Sequence, residues 1–231
     1  MTHSPEPNQT TRILLVDDHP VVRDGLAEAI NREPGLTVCG TADDRHEAMK
    51  AAETTNPDLV IVDLLLKNSS GLELIKDLHA RWPRLPILVV SMQDENLYAE
   101  RALRAGARGY ITKQQATRHV LLAIHRVLRG EIYLSERMAS TVIARLTANP
   151  QGPGDSLADS LTDRELQVFE LTGTGLSTRE IAERLRVDMR TVETYRARIK
   201  DKLKLKDGSE LLQLAIRWNQ DRGRPGSVDS Q

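Results

Sequence analysis

Cysteine is nearly absent. The single Cys39 excludes an intramolecular disulfide framework and any zinc site built from several thiolates. Aromatic residues are only 3% of the 231, so the interior has to be aliphatic. No apolar run approaches the roughly 18 residues of a membrane span. The polar, proline-bearing stretch Met1 to Arg12 lacks the apolar segment of a secretory signal. An excess of one charge is also missing: 32 basic against 33 acidic side chains leave a formal net charge of −1. Affinity for nucleic acid therefore has to come from a local patch and not from the field of the whole molecule. Together these absences predict a reducing, cytoplasmic location and no membrane partner.

What is present is enough for a core. Hydrophobic residues make up 39% and charged residues 28%, a soluble globular composition that excludes disorder throughout. The length permits one large domain or two small ones. Residues 12–130 alternate short Val- and Ile-rich runs (13–16, 36–38, 59–62, 87–90, 109–111) with helical stretches such as Val21, Val22, Leu26, Ala29 and Ile30. Five such βα repeats predict an α/β fold, a doubly wound parallel sheet with helices on both faces. Pro20 fits a first helical position, Asp44 with Glu47 reads as a capping box, and Asn56-Pro57 and Leu85-Pro86 mark strand entries. Residues 131–146 predict one further amphipathic helix, with Ser135 as its cap. From 147 to 160 the periodicity gives way to Pro, Gly and polar residues, the composition of a flexible linker. Residues 161–221 are helical in pattern. Thr162 with Glu165, Ser177 with Glu180 and Asp207 with Glu210 are capping-box spacings, and a further helix starts after Asp188, making four short helices. Leu161 is placed to pack on Leu166 as a hydrophobic staple. The tail from Gly223 is expected to lack fixed structure. The expected division is therefore 12–130, a connecting 131–160, and 161–221.

Polar residues fall at the ends of the predicted strands: Asp17 and Asp18 after the first, Asp63 after the third, Ser91 after the fourth, Lys113 after the fifth. Open parallel sheets bind ligands outside the carboxyl ends of their strands, where the strand order reverses. With order 2-1-3-4-5, all five side chains meet there. Clustered carboxylates invite a hard cation, and Mg²⁺ takes one or two of them together with phosphate oxygens. A carboxylate beside Mg²⁺ can attack a phosphoryl group, a lysine can neutralise its oxygens, and a serine hydroxyl can bond another. Any one of these residues alone reads as a helix cap or a solvated loop residue. The five together read as a phosphorylatable aspartate with its metal, clamp and sensor.

Between Arg190 and Lys206 seven positive side chains stand against two negative ones. At 100° per residue Val192, Ile199 and Leu203 share a buried face, while Arg190, Thr194, Ala197 and Asp201 lie opposite. Small residues in a basic surround allow close approach to a groove while Arg and Lys reach phosphates. The preceding helix, from Thr178 to Leu185, is joined by the short turn Arg186-Val187-Asp188, which fits a helix-turn-helix.

These motifs carry a resemblance. Leu14-Leu15-Val16-Asp17-Asp18-His19-Pro20, Asp63-Leu64 followed by Gly71-Leu72-Glu73, Val90-Ser91 and Gly109-Tyr110-Ile111-Thr112-Lys113 resemble the receiver domain of two-component response regulators. Leu161-Thr162-Asp163-Arg164-Glu165, Gly175-Leu176-Ser177, Glu180-Ile181-Ala182 and the run from Thr191 to Ile199 resemble the LuxR-type DNA-binding domain. The pair is similar to the NarL/FixJ family of transcriptional regulators. The resemblance implies Asp63 as phosphoacceptor, and Asp17, Asp18 and Asp63 with the Leu65 backbone carbonyl as the Mg²⁺ site. It implies Lys113 as phosphate clamp, Ser91 as switch hydroxyl and Tyr110 as switch aromatic, although a half-buried sheet residue is an equal reading of Tyr110. Glu193, Thr194 and Ala197 would read bases, with Glu193 alternatively an intrahelical partner of Arg196. Arg190, Arg198 and Lys200 would meet phosphates. The implied partners are promoter DNA, a sensor histidine kinase as phosphodonor, RNA polymerase, and a second copy of the chain on phosphorylation or on DNA.

The sequence departs from the pattern at Leu66 and Lys67, where Met-Pro is usual, and at Met92, where a small residue is usual. The expectation is a regulator and not an enzyme. A phosphohydrolase of the haloacid-dehalogenase type needs a second acid two residues after its nucleophile, and that position is Leu65. A constitutive DNA binder with a vestigial receiver is the remaining alternative.

Overall fold

The structure, a computed structural model, describes residues 10–67, 69–147 and 155–223. The chain divides into two compact units, Met1–Ala148 and Asn149–Gln231.

The first unit carries β1 (Thr11–Val16), α1 (Pro20–Asn31), β2 (Leu36–Ala42), α2 (Arg45–Thr55), β3 (Leu59–Val62), β4 (Leu65–Leu66), β5 (Ser69–Ser70), α3 (Gly71–Arg81), β6 (Ile87–Ser91), α4 (Glu95–Ala105), β7 (Gly109–Thr112), α5 (Lys113–Leu128) and α6 (Glu136–Thr147). Five parallel strands form one sheet in the order β2-β1-β3-β6-β7. β4 and β5 form a separate two-residue antiparallel ribbon. Counting only the strands of the sheet, the order is the expected 2-1-3-4-5, so the strand order reverses at β1, with β2 added on one side and β3 on the other. The strands read as continuous apolar runs because both faces are covered. Ile13, Leu15, Leu59, Ile61, Leu88 and Val90 pack with α1 and α5 residues such as Leu26, Ile30, Val120 and Ile124. The alternate residues Leu14, Val16, Val60 and Val62 are equally buried and point to the other face.

Local signals explain the helix starts. Pro20 occupies the first turn of α1, and Asp44 caps α2 by accepting from Glu47 N at 2.8 Å. Glu47 reaches back only to Asp43 N, at 3.5 Å, so the predicted box is one residue out. Ser135 Oγ caps α6 by accepting from Met138 N at 3.1 Å.

Two expectations need correction here. β2 continues to Ala42 and does not stop at Val38, because a register shift opposite Ile13 and Leu14 passes over Cys39 and lets the pairing resume at Gly40. The helix expected from 131 begins only at Glu136. Residues 131–135 instead lie along the sheet edge, with Tyr110 N donating to Tyr133 O at 2.8 Å and Tyr133 N donating to Arg108 O at 3.0 Å. Gly109 permits that approach, since a Cβ there would stand 2.9 Å from Leu88 Cδ1 and 3.1 Å from Tyr133 Cβ.

The second unit is helical: α7 (Asp155–Ser160), α8 (Asp163–Gly173), α9 (Thr178–Leu185), α10 (Met189–Leu203) and α11 (Gly208–Gly223). Within the stretch expected as a flexible linker, Asp155–Ser160 is helical, and 148–154 lie outside the described residues. Six residues are too few to display a helical period. The tail beyond Gly223 also lies outside them. Thr162 with Glu165 and Ser177 with Glu180 form reciprocal capping boxes. Asp207 Oδ1 accepts from Glu210 N at 2.9 Å, while Glu210 returns to Lys206 N. The core gathers Leu161, Leu166, Phe169, Ile181, Leu185, Val192, Ile199, Leu211 and Ala215, with Trp218 set edge-on to Phe169 at 5.5 Å. No helix among the described residues is long and apolar enough to cross a membrane.

Candidate functional sites

At the carboxyl ends of β1, β3, β6 and β7 the five singled-out side chains converge. Asp17, Asp18 and Asp63 are all buried, Asp63 at 2% exposure, and Ser91 is fully buried. Lys113 Nζ lies 2.6 Å from Asp63 Oδ2 and 2.7 Å from Asp17 Oδ2, bridging the two acids. Ser91 Oγ donates to Asp63 Oδ1 at 2.6 Å, and Leu65 N donates to the same oxygen at 3.2 Å. Both oxygens of Asp63 are therefore directed by fixed donors. Burial pushes the Asp63 carboxyl above the usual carboxylate range, and the neighbouring Asp17 adds to this, against the pull of Lys113 and Ser91. Burial alone would lower Lys113, but the charges of Asp63 and Asp17 outweigh it and hold the ammonium firmly protonated.

The backbone around Asp63 is set by a glycine. A Cβ on Gly71 would fall 2.0 Å from Asp63 O and 2.7 Å from Leu64 Cα, so only glycine lets α3 start this close to the end of β3. Gly71 N donates to Leu64 O at 3.0 Å and closes the loop.

The donor set fits a divalent cation. Oxygens of Asp17, Asp18 and Asp63 and a ring nitrogen of His19 all lie within 4.8 Å of one another. Three buried carboxylates face one lysine, which leaves an excess of negative charge, and the ligands are mainly hard oxygens of the kind Mg²⁺ prefers. His19 was not signalled by the sequence pattern. Its Nδ1 lies 2.7 Å from Asp18 Oδ1 and 3.3 Å from Asp17 Oδ1, and its backbone N donates to Asp17 Oδ1 at 2.8 Å. That role depends on how the first turn of α1 folds back, which no spacing rule encodes.

The remaining positions fall around this pocket. Tyr110 is fully buried and donates its hydroxyl to Gln93 O at 3.0 Å. Gln93 N in turn points to Ser91 Oγ at 3.4 Å, so the serine that touches Asp63 is joined through one residue to the tyrosine. Met92 is 62% exposed beside Ser91. Lys67 points to Asp43, at 3.9 Å, and the side chain of Leu66 is buried.

In the second unit α10 presents the predicted outward face: Arg190, Glu193, Thr194, Ala197 and Arg198 are exposed, while Val192 and Ile199 are fully buried. Leu203, expected to bury, is only half-buried at the helix end. Arg190, Arg198 and Lys200 have no ion-pair partner among the described residues. Two of the seven basic residues are committed internally. Lys202 lies 2.6 Å from the buried Glu165 of α8, and Arg196 Nη1 donates to Thr178 Oγ1 of α9 at 2.7 Å. Thr194 Oγ1 donates to Arg190 O at 2.8 Å, so its hydroxyl proton is already used within the helix.

Comparison with known proteins agrees with both halves. A profile described as the response regulator receiver domain matches residues 13–125, and one described as bacterial regulatory proteins, luxR family, matches 159–215. The chain is 34% identical over 207 residues to an uncharacterized transcriptional regulatory protein YxjL of Bacillus subtilis, covering 89% of this chain and 95% of that one. It is 33% identical over 210 residues to the oxygen regulatory protein NreC of Staphylococcus carnosus, covering 89% and 97%. The structure of RcsB from Salmonella enterica bound to a promoter in the presence of a phosphomimetic superposes with a TM-score of 0.58 at 22% identity, covering 90% of this chain and 99% of that one, which speaks for the fold. The chain thus belongs to the NarL/LuxR family of response regulators, in which a receiver domain is joined to a LuxR-type helix-turn-helix domain.

Proposed function

We propose that Asp63 accepts a phosphoryl group from a sensor histidine kinase and that this controls promoter binding by the helix-turn-helix unit. The observation that carries this reading is the paired hold on Asp63, by Lys113 Nζ at 2.6 Å and Ser91 Oγ at 2.6 Å. One carboxylate oxygen attacks phosphorus, the P–N bond to the donor histidine breaks, and its electron pair stays on the imidazole. Mg²⁺, held by Asp17, Asp18, Asp63 and the Leu65 carbonyl, supplies charge neutralisation for the phosphoryl oxygens when bound. Lys113 provides a further fixed positive charge, and Ser91 turns its hydroxyl from the carboxylate to a phosphoryl oxygen. Because Ser91, Gln93 and Tyr110 are linked, that turn is felt at β7 and in the loop before α4. The apolar Leu65, two residues after Asp63, offers no general acid, which favours storage of the phosphoryl group over its turnover.

In the second unit, α10 enters the major groove. Arg190, Arg198 and Lys200 contact phosphates, and Thr194 and Ala197 approach base edges, where the Thr and Ala methyls suit a thymine methyl. Glu193 shares that face with its carboxylate already engaged. Dimers on DNA, a cytoplasmic location and contact with RNA polymerase complete the proposal. The promoter-bound state of RcsB supports its DNA arm.

Incubation with acetyl phosphate and Mg²⁺ followed by intact mass tests the phosphoacceptor. The wild-type chain gains one phosphoryl mass and Asp63→Asn gains none, because an amide is not nucleophilic there. A phosphorylated Asp63→Asn chain would refute the assignment.

A further inference from the structure

α9 and α10 are joined by more than apolar packing. Thr178 Oγ1 donates to Glu193 Oε1 at 2.6 Å, and Arg196 Nη1 donates to the same hydroxyl at 2.7 Å. Arg196 and Glu193 are themselves 3.6 Å apart. A hydroxyl has one proton to give and lone pairs to accept with, so Thr178 relays between guanidinium and carboxylate and fixes the direction of both. Both bonds are charge-assisted. The Arg196 side chain is only 23% exposed, and its buried Nε has no hydrogen-bond partner. The guanidinium is thus held against α9 by this contact.

We infer that Glu193 is a positioning residue that closes a clasp with Thr178 and Arg196 and so sets how α9 meets α10 on DNA, and that it is not a base reader. The inference rests on the DNA-binding reading of α10. Oε2 of Glu193 is still free to accept, but rotating the side chain towards a cytosine amino group would take Oε1 off the Thr178 hydroxyl and draw the carboxylate away from Arg196. An unclasped carboxylate would also face the phosphates of the duplex, where like charge repels. Clasped, its charge is offset by Arg196. Sequence choice then falls to Thr194 and Ala197, whose side chains offer methyl surface.

The clasp separates two roles that a single substitution confuses. Thr178 stands on the other helix and is not a base-reading candidate, yet it shares the contact. Full-length wild type, Glu193→Ala, Glu193→Gln, Thr178→Val, Thr178→Ser and the Thr178→Val/Glu193→Ala double variant are compared. Binding-site selection and affinity at one salt concentration are measured well below each variant's melting temperature. The expected result is a roughly tenfold loss for Thr178→Val and for Glu193→Ala, the scale of a hydrogen bond to a charged group. The double variant loses no more than either single one, because both remove the same contact. Thr178→Ser, which keeps the hydroxyl, retains most of the affinity, Glu193→Gln, which keeps an acceptor oxygen but not the charge, loses less than Glu193→Ala, and the selected motif is the same throughout. A change of preferred base with Glu193→Ala and none with Thr178→Val overturns the inference and makes Glu193 a reader. Additive losses in the double variant overturn it as well. Failure of the wild-type chain itself to bind any duplex would strike at the DNA-binding reading, a result separable from both.

Discussion

At the level of single residues, Lys113 is the side chain on which the receiver site turns. It is the ammonium that lies between Asp17 and Asp63, at 2.7 and 2.6 Å, and its side chain is only 7% exposed. Lys113→Ala leaves two buried carboxylates without that counter-charge. Breaking such a pair costs about 3–5 kcal/mol, much of it the penalty of an uncompensated buried charge. A divalent cation supplies the missing charge, so Mg²⁺ should restore more stability to the variant than it adds to wild type. Urea unfolding with and without Mg²⁺ measures this. An equal deficit in both conditions would show that Lys113 is not acting as a counter-charge. The positions of Asp17, Asp18, Asp63, Ser91 and Lys113 at strand ends were readable in the sequence, because a short continuous apolar run followed by a polar residue locates a strand end. The inward set of Tyr110 was not readable. Whether an aromatic at that place lies in or out depends on a hydroxyl partner, Gln93 O, contributed by a different strand-to-helix loop.

At the level of elements, close approaches and caps decide geometry. Gly71→Ala places a methyl 2.0 Å from Asp63 O, so the end of β3 or the start of α3 must move. The expected cost is about 1–3 kcal/mol of overpacking. Because the displaced atoms carry the proposed phosphoacceptor, phosphoryl uptake from acetyl phosphate should slow by roughly tenfold to a hundredfold, the upper figure being that of a 1 Å misplacement at a reacting group. Time-resolved intact mass checks it, and an unchanged rate would mean that the loop absorbs the methyl elsewhere.

Glu165 gives a pH prediction for the second unit. Burial by itself would raise its carboxyl, but the hydrogen bonds from Lys202 and from Thr162 outweigh that and hold it below the usual range. A lowered folded value means that the stability it contributes is complete above the unfolded value, about 4.3, and is lost as pH falls through the lower folded value. Amide protection in α8 and α10, taken relative to the intrinsic exchange rate at each pH, should therefore fall on acidification through that window, and Glu165→Gln should flatten the dependence. Identical pH profiles for the two chains would remove Glu165 as the cause. The reciprocal boxes at Thr162 and Ser177 were legible, since the pattern is local. The tie from Glu165 to Lys202 was not, because 37 residues separate the partners.

For the molecule as a whole, the two units have to be coupled if phosphorylation is to control DNA. A phosphoryl group can shift a conformational equilibrium only by its differential interaction with the two states. Typical couplings of about 1–3 kcal/mol correspond to a 5–150-fold change in affinity. Phosphorylation of the full chain should raise promoter affinity within that range, and Asp63→Asn should remove the response while leaving basal binding in place. Titration of DNA at one fixed salt concentration, with and without acetyl phosphate, measures it. A response that persists in Asp63→Asn would place control elsewhere. Arg190→Ala and Lys200→Ala should each weaken binding evenly across sequences and lower the salt slope by about one unit. A selective loss on one sequence would identify base contact instead.

The sequence by itself determined the parallel α/β unit, the helical second unit, the five residues of the acidic site and the basic outward face of α10. Each of these is written in periodicity, in caps or in motif spacing, all of which act over a few residues. Only the tertiary structure decided that Lys113 bridges two acids, that His19 turns onto Asp17 and Asp18, that residues 131–135 line the sheet edge, and that Lys202 and Arg196 bond to α8 and α9. It also drew Glu193 towards Thr178. These contacts join residues far apart in the chain or, as at His19 and Arg196, select one rotamer among several. Their outcome depends on which neighbour the packed fold brings within about 3 Å, a distance that no local pattern carries.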